Sequence, residues 1–204
     1  MDFSYWAGSG QPWDDILESC RRAEADGWHG VWVPDHFMPP PEGYGSEAET
    51  GIEPELAPIL EAWTLLAALA ATIPRVRIGA MVSGNTYRHP AVLAKMAATV
   101  DHISGGRLVL GLGAGWQENE HRRYGIELGS PGDRSDRLEE ACEIVHRLLA
   151  ESRVDFAGDH YRLDRAPAEP KPVGGHIPLL VGGRGERRTL RTVARWADEW
   201  NAWG

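Results

Sequence analysis

An apolar strand that runs straight into alternating glycines most limits what this chain can fold into. Arg107-Leu108-Val109-Leu110 leads into Gly111-Leu112-Gly113-Ala114-Gly115 and then Trp116. Glycine tolerates positive φ and lets a ligand or another backbone come close. Three other strand-like runs also end in loaded loops. Gly30-Val31-Trp32-Val33 precedes Pro34-Asp35-His36-Phe37, Val76 to Val82 precedes Ser83-Gly84-Asn85, and Ile177 to Val181 precedes Gly182-Gly183-Arg184-Gly185-Glu186. Strands that carry their polar chemistry just past their C-terminal ends describe an α/β enzyme with one active face.

The remaining segments agree. Phe3 to Trp6 reads as a first strand, and Trp13, Ile16, Leu17, Cys20 and Ala23 recur at helical spacing between Pro12 and Gly27. Met38 to Pro54, rich in Pro, Gly and Glu, reads as a long loop, and Leu56 to Ala71 as an apolar helix. Pro90 opens a helix through Val100, and Trp116 to Gly132 reads as an insertion. Asp133 or Ser135 is expected to cap a helix ending near Leu149. Val154 to Leu163 suggests a small hairpin, residues 165–178 a connector, Leu190 to Ala197 a helix, and Asp198 to Trp203 a sixth strand.

Alternating strands and helices predict a parallel sheet with right-handed crossovers. The spacing of Gly111, Gly113 and Gly115 does not match a dinucleotide fingerprint, and an open sheet would gather its ligand at one switch point. Loaded loops on four strands favour a barrel. A complete (β/α)8 barrel needs about 250 residues, and this chain has 204. The expected fold is a single α/β domain over 1–204, a TIM-like (β/α)8 barrel truncated after about six strands.

Composition narrows the function. The net charge is −9. The arginines at 184, 187, 188, 191 and 195 are flanked by acids rather than forming a stripe, so nucleic acid is not an expected partner. Met1 to Trp6 lacks the pattern of a signal peptide, and no run is apolar for long enough to span a membrane. Cys20 and Cys142 sit on apolar helical faces and read as buried thiols of a cytoplasmic protein. The eight histidines show no His-x-x-x-His spacing, so no metal site is expected. A small-molecule substrate is the expected partner, and a homo-oligomer stays open.

The loops supply candidate chemistry. Asp35 beside His36 suits proton transfer, because a carboxylate can hold an imidazole in one tautomer. Met81, Val82 and Ser83 read as a floor under a flat aromatic ligand. Gly113, Ala114 and Gly115 allow close backbone approach. Trp116 reads equally as a stacking ring or a plug at the barrel mouth. Gly182, Gly183, Arg184, Gly185 and Glu186 lie between a strand and a helix N-terminus, where free amides and guanidinium groups make an anion site.

Four pieces in this order resemble the bacterial luciferase-like superfamily, and within it the deazaflavin oxidoreductases that use coenzyme F420. They are Gly30 to Phe37, Tyr87-Arg88-His89-Pro90-Ala91, Gly105 to Trp116 continuing to Glu120-His121-Arg122-Arg123-Tyr124-Gly125, and Gly182 to Arg191 continuing to Ala197-Asp198-Glu199-Trp200-Asn201. The resemblance implies a TIM-like barrel with its active face at the strand C-termini. It places Asp35 and His36 beside the deazaflavin ring and makes His36 the proton-handling residue, with Asp35 orienting it or contacting the cofactor. It puts a non-prolyl cis peptide at Met81-Val82 and the cofactor phosphate at Gly182 to Glu186. FMN, in a monooxygenase of the same superfamily, is the alternative cofactor, and a non-catalytic fragment binding a phosphate-bearing ligand is the alternative of another class.

The sequence departs from that pattern twice. Trp116 stands where some deazaflavin dehydrogenases have a glutamate, with Glu118 and Glu120 the carboxylates nearby. Family members also continue for two more strand–helix units. The expectation is therefore a fragment with open sheet edges near Trp6, Trp200 and Trp203, poorly soluble or associated when alone.

Overall fold

The computed structural model describes residues 1–43 and 52–202; part of the long Met38–Pro54 loop and the end of the expected sixth strand, Trp203, lie outside them. Local chemistry sets the element ends. Helix α1 (Trp13–Ala25) carries Asp14 and Asp15 in its first turn and Arg22 in its last, which complements the helix dipole. Helix α2 (Ala62–Thr72) begins six residues later than expected. Pro54–Leu56 forms only a 3-10 turn, because Ala57, preceding Pro58, is held extended. The Glu61 side chain then accepts the amides of Trp63 at 3.1 Å and Thr64 at 2.7 Å. Helix α3 (Pro90–Ser104) starts on proline at its first position.

The expected insertion after Trp116 contains a helix of its own, α4 (Glu118–Tyr124). Helix α5 (Pro131–Ala150) is capped by Ser130, not by Asp133 or Ser135. Asp133 instead closes a capping box with Ser130 from inside the first turn. The last helix, α6, spans Thr189–Trp196.

Strands β1 (Ser4–Trp6), β2 (Gly30–Val33), β3 (Arg77–Ala80) and β5 (Leu108–Gly113) lie side by side, followed by β8 (Leu179–Gly182) and β9 (Glu199–Asn201). Every pairing among them is parallel. The sheet curls into part of a barrel wall with helices outside, an α/β half-barrel. The expected strand Val76–Val82 is interrupted: a cis peptide joins Met81 to Val82, and Ser83–Gly84 forms a short strand, β4, paired with β5. The hairpin β6 (Val154–Ala157) and β7 (Arg162–Ala166) runs further than expected, into the connector. Among the described residues no helix is long and apolar enough to cross a membrane.

The two faces of the sheet bury different residues, because side chains alternate along a strand. Val31, Val33, Ile78, Ala80, Leu108, Leu110, Leu112, Leu179 and Val181 face the helices and join Leu66, Leu69, Leu93, Ile144 and Leu148 in the main core. Trp32, Val109 and Leu180 face the barrel interior and meet Met81 and Val82. Gly111 and Gly113 continue the row of Val109, and Gly182 that of Leu180, so the alternating glycines are interior positions.

Candidate functional site

Parallel strands bring their C-terminal ends to one side, and there the structure has a cavity of about 1050 Å³. Asp35 and His36 from the end of β2 line it, as do Met81 and Val82 after β3. Gly113 at the end of β5 with Ala114 and Gly115 beyond it, and Gly182 at the end of β8 with Gly183 beyond it, complete that wall. Ser83 is fully buried beneath, and Arg184, Gly185 and Glu186 are exposed on the rim. The floor is shaped by Val82. A Cβ on Gly113 would stand 2.6 Å from Val82 Cγ2, and one on Gly182 would stand 2.8 Å from it. Val82 would have to shift to admit a side chain at either position, so bare backbone meets Val82 along this wall.

Asp35 is 1% exposed. Arg88 grips it with Nη1 at 2.6 Å and Nη2 at 3.2 Å. The Ser83 hydroxyl also bonds it, and Ser83 Oγ in turn accepts from Trp63 Nε1 at 2.9 Å. Burial pushes the Asp35 carboxyl above its ordinary value, with Arg88 and Ser83 pulling against it. Arg88 also pairs with Glu61. Asp35 is thus anchored away from its neighbour, and the expectation that it orients His36 is replaced by a different carboxylate.

That carboxylate is Glu120. Its Oε1 lies 2.7 Å from His36 Nδ1, its Oε2 accepts the Phe37 amide at 2.8 Å, and the Tyr87 hydroxyl donates to Oε1. Against the cost of burial, the bonds from His36, Tyr87 and Phe37 hold the Glu120 carboxyl below its ordinary value. Glu118 points to solvent and takes no part. Trp116, 58% exposed, sets its ring edge-on to His36 with centroids 5.5 Å apart.

Helix α4 holds this corner. Gln117 Nε2 donates to the Met38 carbonyl at 2.8 Å, and Asn119 Nδ2 to the Pro39 carbonyl at 2.9 Å. His121 bridges the Gln117 carbonyl at 2.6 Å and Thr86 Oγ1 at 2.7 Å. Sequence reasoning missed Gln117, Asn119, His121 and Tyr87. The run of five polar residues from Gln117 to His121, buried except for Glu118, has no hydrophobic period to reveal it.

The anion loop departs from the expected cradle. The Gly183 amide donates to the Asn201 carbonyl at 3.0 Å, and the Gly183 carbonyl accepts Trp200 Nε1 at 2.8 Å. Arg188 is bound to Asp136 at 3.0 Å and to the Gly132 carbonyl at 2.9 Å. Gly183 has φ of +137°, and the cavity reaches Thr189 at the start of α6. Thr189 lines the cavity at that helix start, and Arg184 and Arg187 of the same loop are exposed.

Comparison with known proteins gives a consistent picture. The luciferase-like monooxygenase family matches residues 1–204. An uncharacterized protein of Mycobacterium tuberculosis is 32% identical over 186 residues, covering 89% of this chain and 65% of the relative. An F420-dependent glucose-6-phosphate dehydrogenase of Amycolatopsis mediterranei is 36% identical over 180 residues, covering 83% of this chain and 50% of the relative. Among solved structures, an F420-dependent secondary alcohol dehydrogenase in complex with an F420–acetone adduct superimposes with a TM-score of 0.84 at 27% identity, over 98% of this chain and 57% of that one. The chain spans between half and two thirds of the length of these relatives.

Proposed function

This chain belongs to the luciferase-like monooxygenase family, and we propose that within it the chain forms the cofactor face of an F420-dependent oxidoreductase that moves hydride between the deazaflavin and a small organic substrate. The observation that carries this reading is one cavity in which His36 stands beside a floor of Val82 flanked by Gly113 and Gly182. The similarity to two F420-dependent dehydrogenases supports the choice of cofactor. When bound, the deazaflavin supplies the hydride acceptor or donor.

The chain's own residues would do the rest. Met81, Val82, Gly113 and Gly182 receive the ring. Asp35, its side chain buried and fixed by Arg88, holds the β2 loop behind the same cavity. Thr189 and the amides ahead of α6 take the phosphate. Gly183 contributes by leaving space, since its amide is used by Asn201. His36 exchanges the proton that must accompany hydride transfer at a carbonyl or alcohol oxygen, and Trp116 covers it from the solvent side.

Titration with F420 and, separately, with FMN tests the reading. A saturable change in the F420 absorbance, with none for FMN, is expected. Binding of FMN alone would replace it with the flavin-dependent monooxygenase reading, which the family match also supports. Replacing His36 by alanine should lower turnover by about 10²–10⁴-fold with cofactor affinity little changed. Unchanged turnover would remove His36 from the chemistry.

A further inference from the structure

We infer that Glu120 is a positioning residue that decides which nitrogen of His36 faces the cavity, and that Tyr87 holds Glu120 to that task. The inference rests on the reading that His36 handles the proton, and it adds the group that makes the ring competent to do so.

The geometry leaves little freedom. An ionised carboxylate only accepts hydrogen bonds. With Oε1 at 2.7 Å, His36 Nδ1 must therefore carry a proton. In the neutral ring the lone pair then sits on Nε2, the nitrogen that Glu120 does not engage. His36 lines the cavity with 15% of its side chain exposed, whereas the Glu120 side chain is 0% exposed. Turning the ring over would set an Nδ1 lone pair or a carbon against a buried carboxylate that has lost its water, which is costly.

Glu120 is itself held. The Phe37 amide fixes Oε2, and the Tyr87 hydroxyl donates to Oε1 beside the imidazole. The Tyr87 ring is clamped between Phe37, at 4.8 Å between centroids, and His121, stacked at 5.0 Å. His121 cannot drift, because Gln117 and Thr86 hold both of its nitrogens. Three segments far apart in sequence thus meet at one carboxylate: the β2 loop, the segment before α3, and α4. A strut that only anchored the β2 loop would need the Phe37 amide alone. The bond to Nδ1 on the neighbouring residue is what concerns chemistry.

The test reads the tautomer directly. Nitrogen NMR of His36, without cofactor or substrate, should show Nδ1–H and bare Nε2 in the neutral ring of the parent protein. In Glu120→Gln the neutral side chain can accept from or donate to Nδ1, so both tautomers should appear. Turnover in that variant should fall by about 10²-fold in kcat with KM within about threefold, because substrate binding is not the lost function. Should Glu120→Gln fail to fold, Glu120→Asp asks the same question by drawing the charge back from the ring. Tyr87→Phe keeps the carboxylate and should admit a minor Nε2–H population.

An unchanged tautomer in the Glu120 variant would overturn the inference whatever His36→Ala does to turnover. A mixed tautomer would support it even if His36→Ala left turnover intact, in which case only the functional reading falls. An unchanged spectrum in Tyr87→Phe would remove Tyr87 from the arrangement.

Discussion

Val82 Cγ2 occupies the space beside Gly113 so closely that a Cβ there would stand only 2.6 Å away. Val82 follows β3 and Gly113 ends β5, so the contact crosses the interior of the curled sheet. It explains the glycine at 113, whose gap receives a side chain from the neighbouring strand end; at Gly111 a Cβ would stand 2.0 Å from the Ala80 carbonyl oxygen, so there the gap receives backbone.

Gly113→Ala should therefore destabilise the fold by about 1–3 kcal/mol through overpacking. On the proposed reading it should also weaken F420 binding, because the displaced Val82 rises into the cavity. Adding Val82→Ala makes room, and the double variant should recover most of the loss, a coupling of about 0.5–3 kcal/mol. Urea denaturation of both single variants and the double variant measures it; simple additivity would show that the contact is not limiting.

Arg88→Met leaves the Asp35 carboxylate buried without its cation. A loss of about 3–5 kcal/mol in unfolding free energy is expected. Arg22→Met, which breaks a pair with Asp26 exposed at the surface, should change stability by less than about 1 kcal/mol. Asp35→Asn combined with Arg88→Met should recover part of the loss, since the stranded charge is gone.

Glu120 makes stability depend on acidity with a defined sign. Its carboxyl in the folded protein titrates below the ordinary value of 4.5. The ionised group therefore stabilises the fold in full above that ordinary value, and the contribution is lost as pH falls through the lowered folded value. Glu120→Gln lacks this titration. The stability gap between parent and variant should stay level near neutrality and shrink on acidification below about pH 4.5, followed by urea midpoints. A gap that widened in acid would contradict the assignment.

The two thiols should be inert in the folded state. Burial pushes Cys20 up to about 11 and raises Cys142 further. The thiolate is the reactive form, so alkylation of the native protein at mildly alkaline pH should be slow. Modification of Cys142 should follow global unfolding when denaturant is varied. Rapid modification without denaturant would show that α5 opens locally.

Much of this protein is present in local patterning. The parallel α/β order follows from apolar runs that alternate with helical periods, and the active face from polar loops after β2, β3, β5 and β8. Each depends on side chains within a few residues of one another, so a linear reading recovers it. The long-range pairs do not. Asp35 next to His36 suggested a couple, yet side chains of adjacent residues in extended chain leave in opposite directions. Asp35 went to Arg88, 53 residues on, and His36 to Glu120, 84 residues on. Glu118 and Glu120 are equivalent on paper, and only the docking of α4 against the β2 loop buries one and exposes the other. The glycine row was visible as an oddity of β5. That it receives Val82 became decidable only when the curl of the sheet brought the two strand ends together.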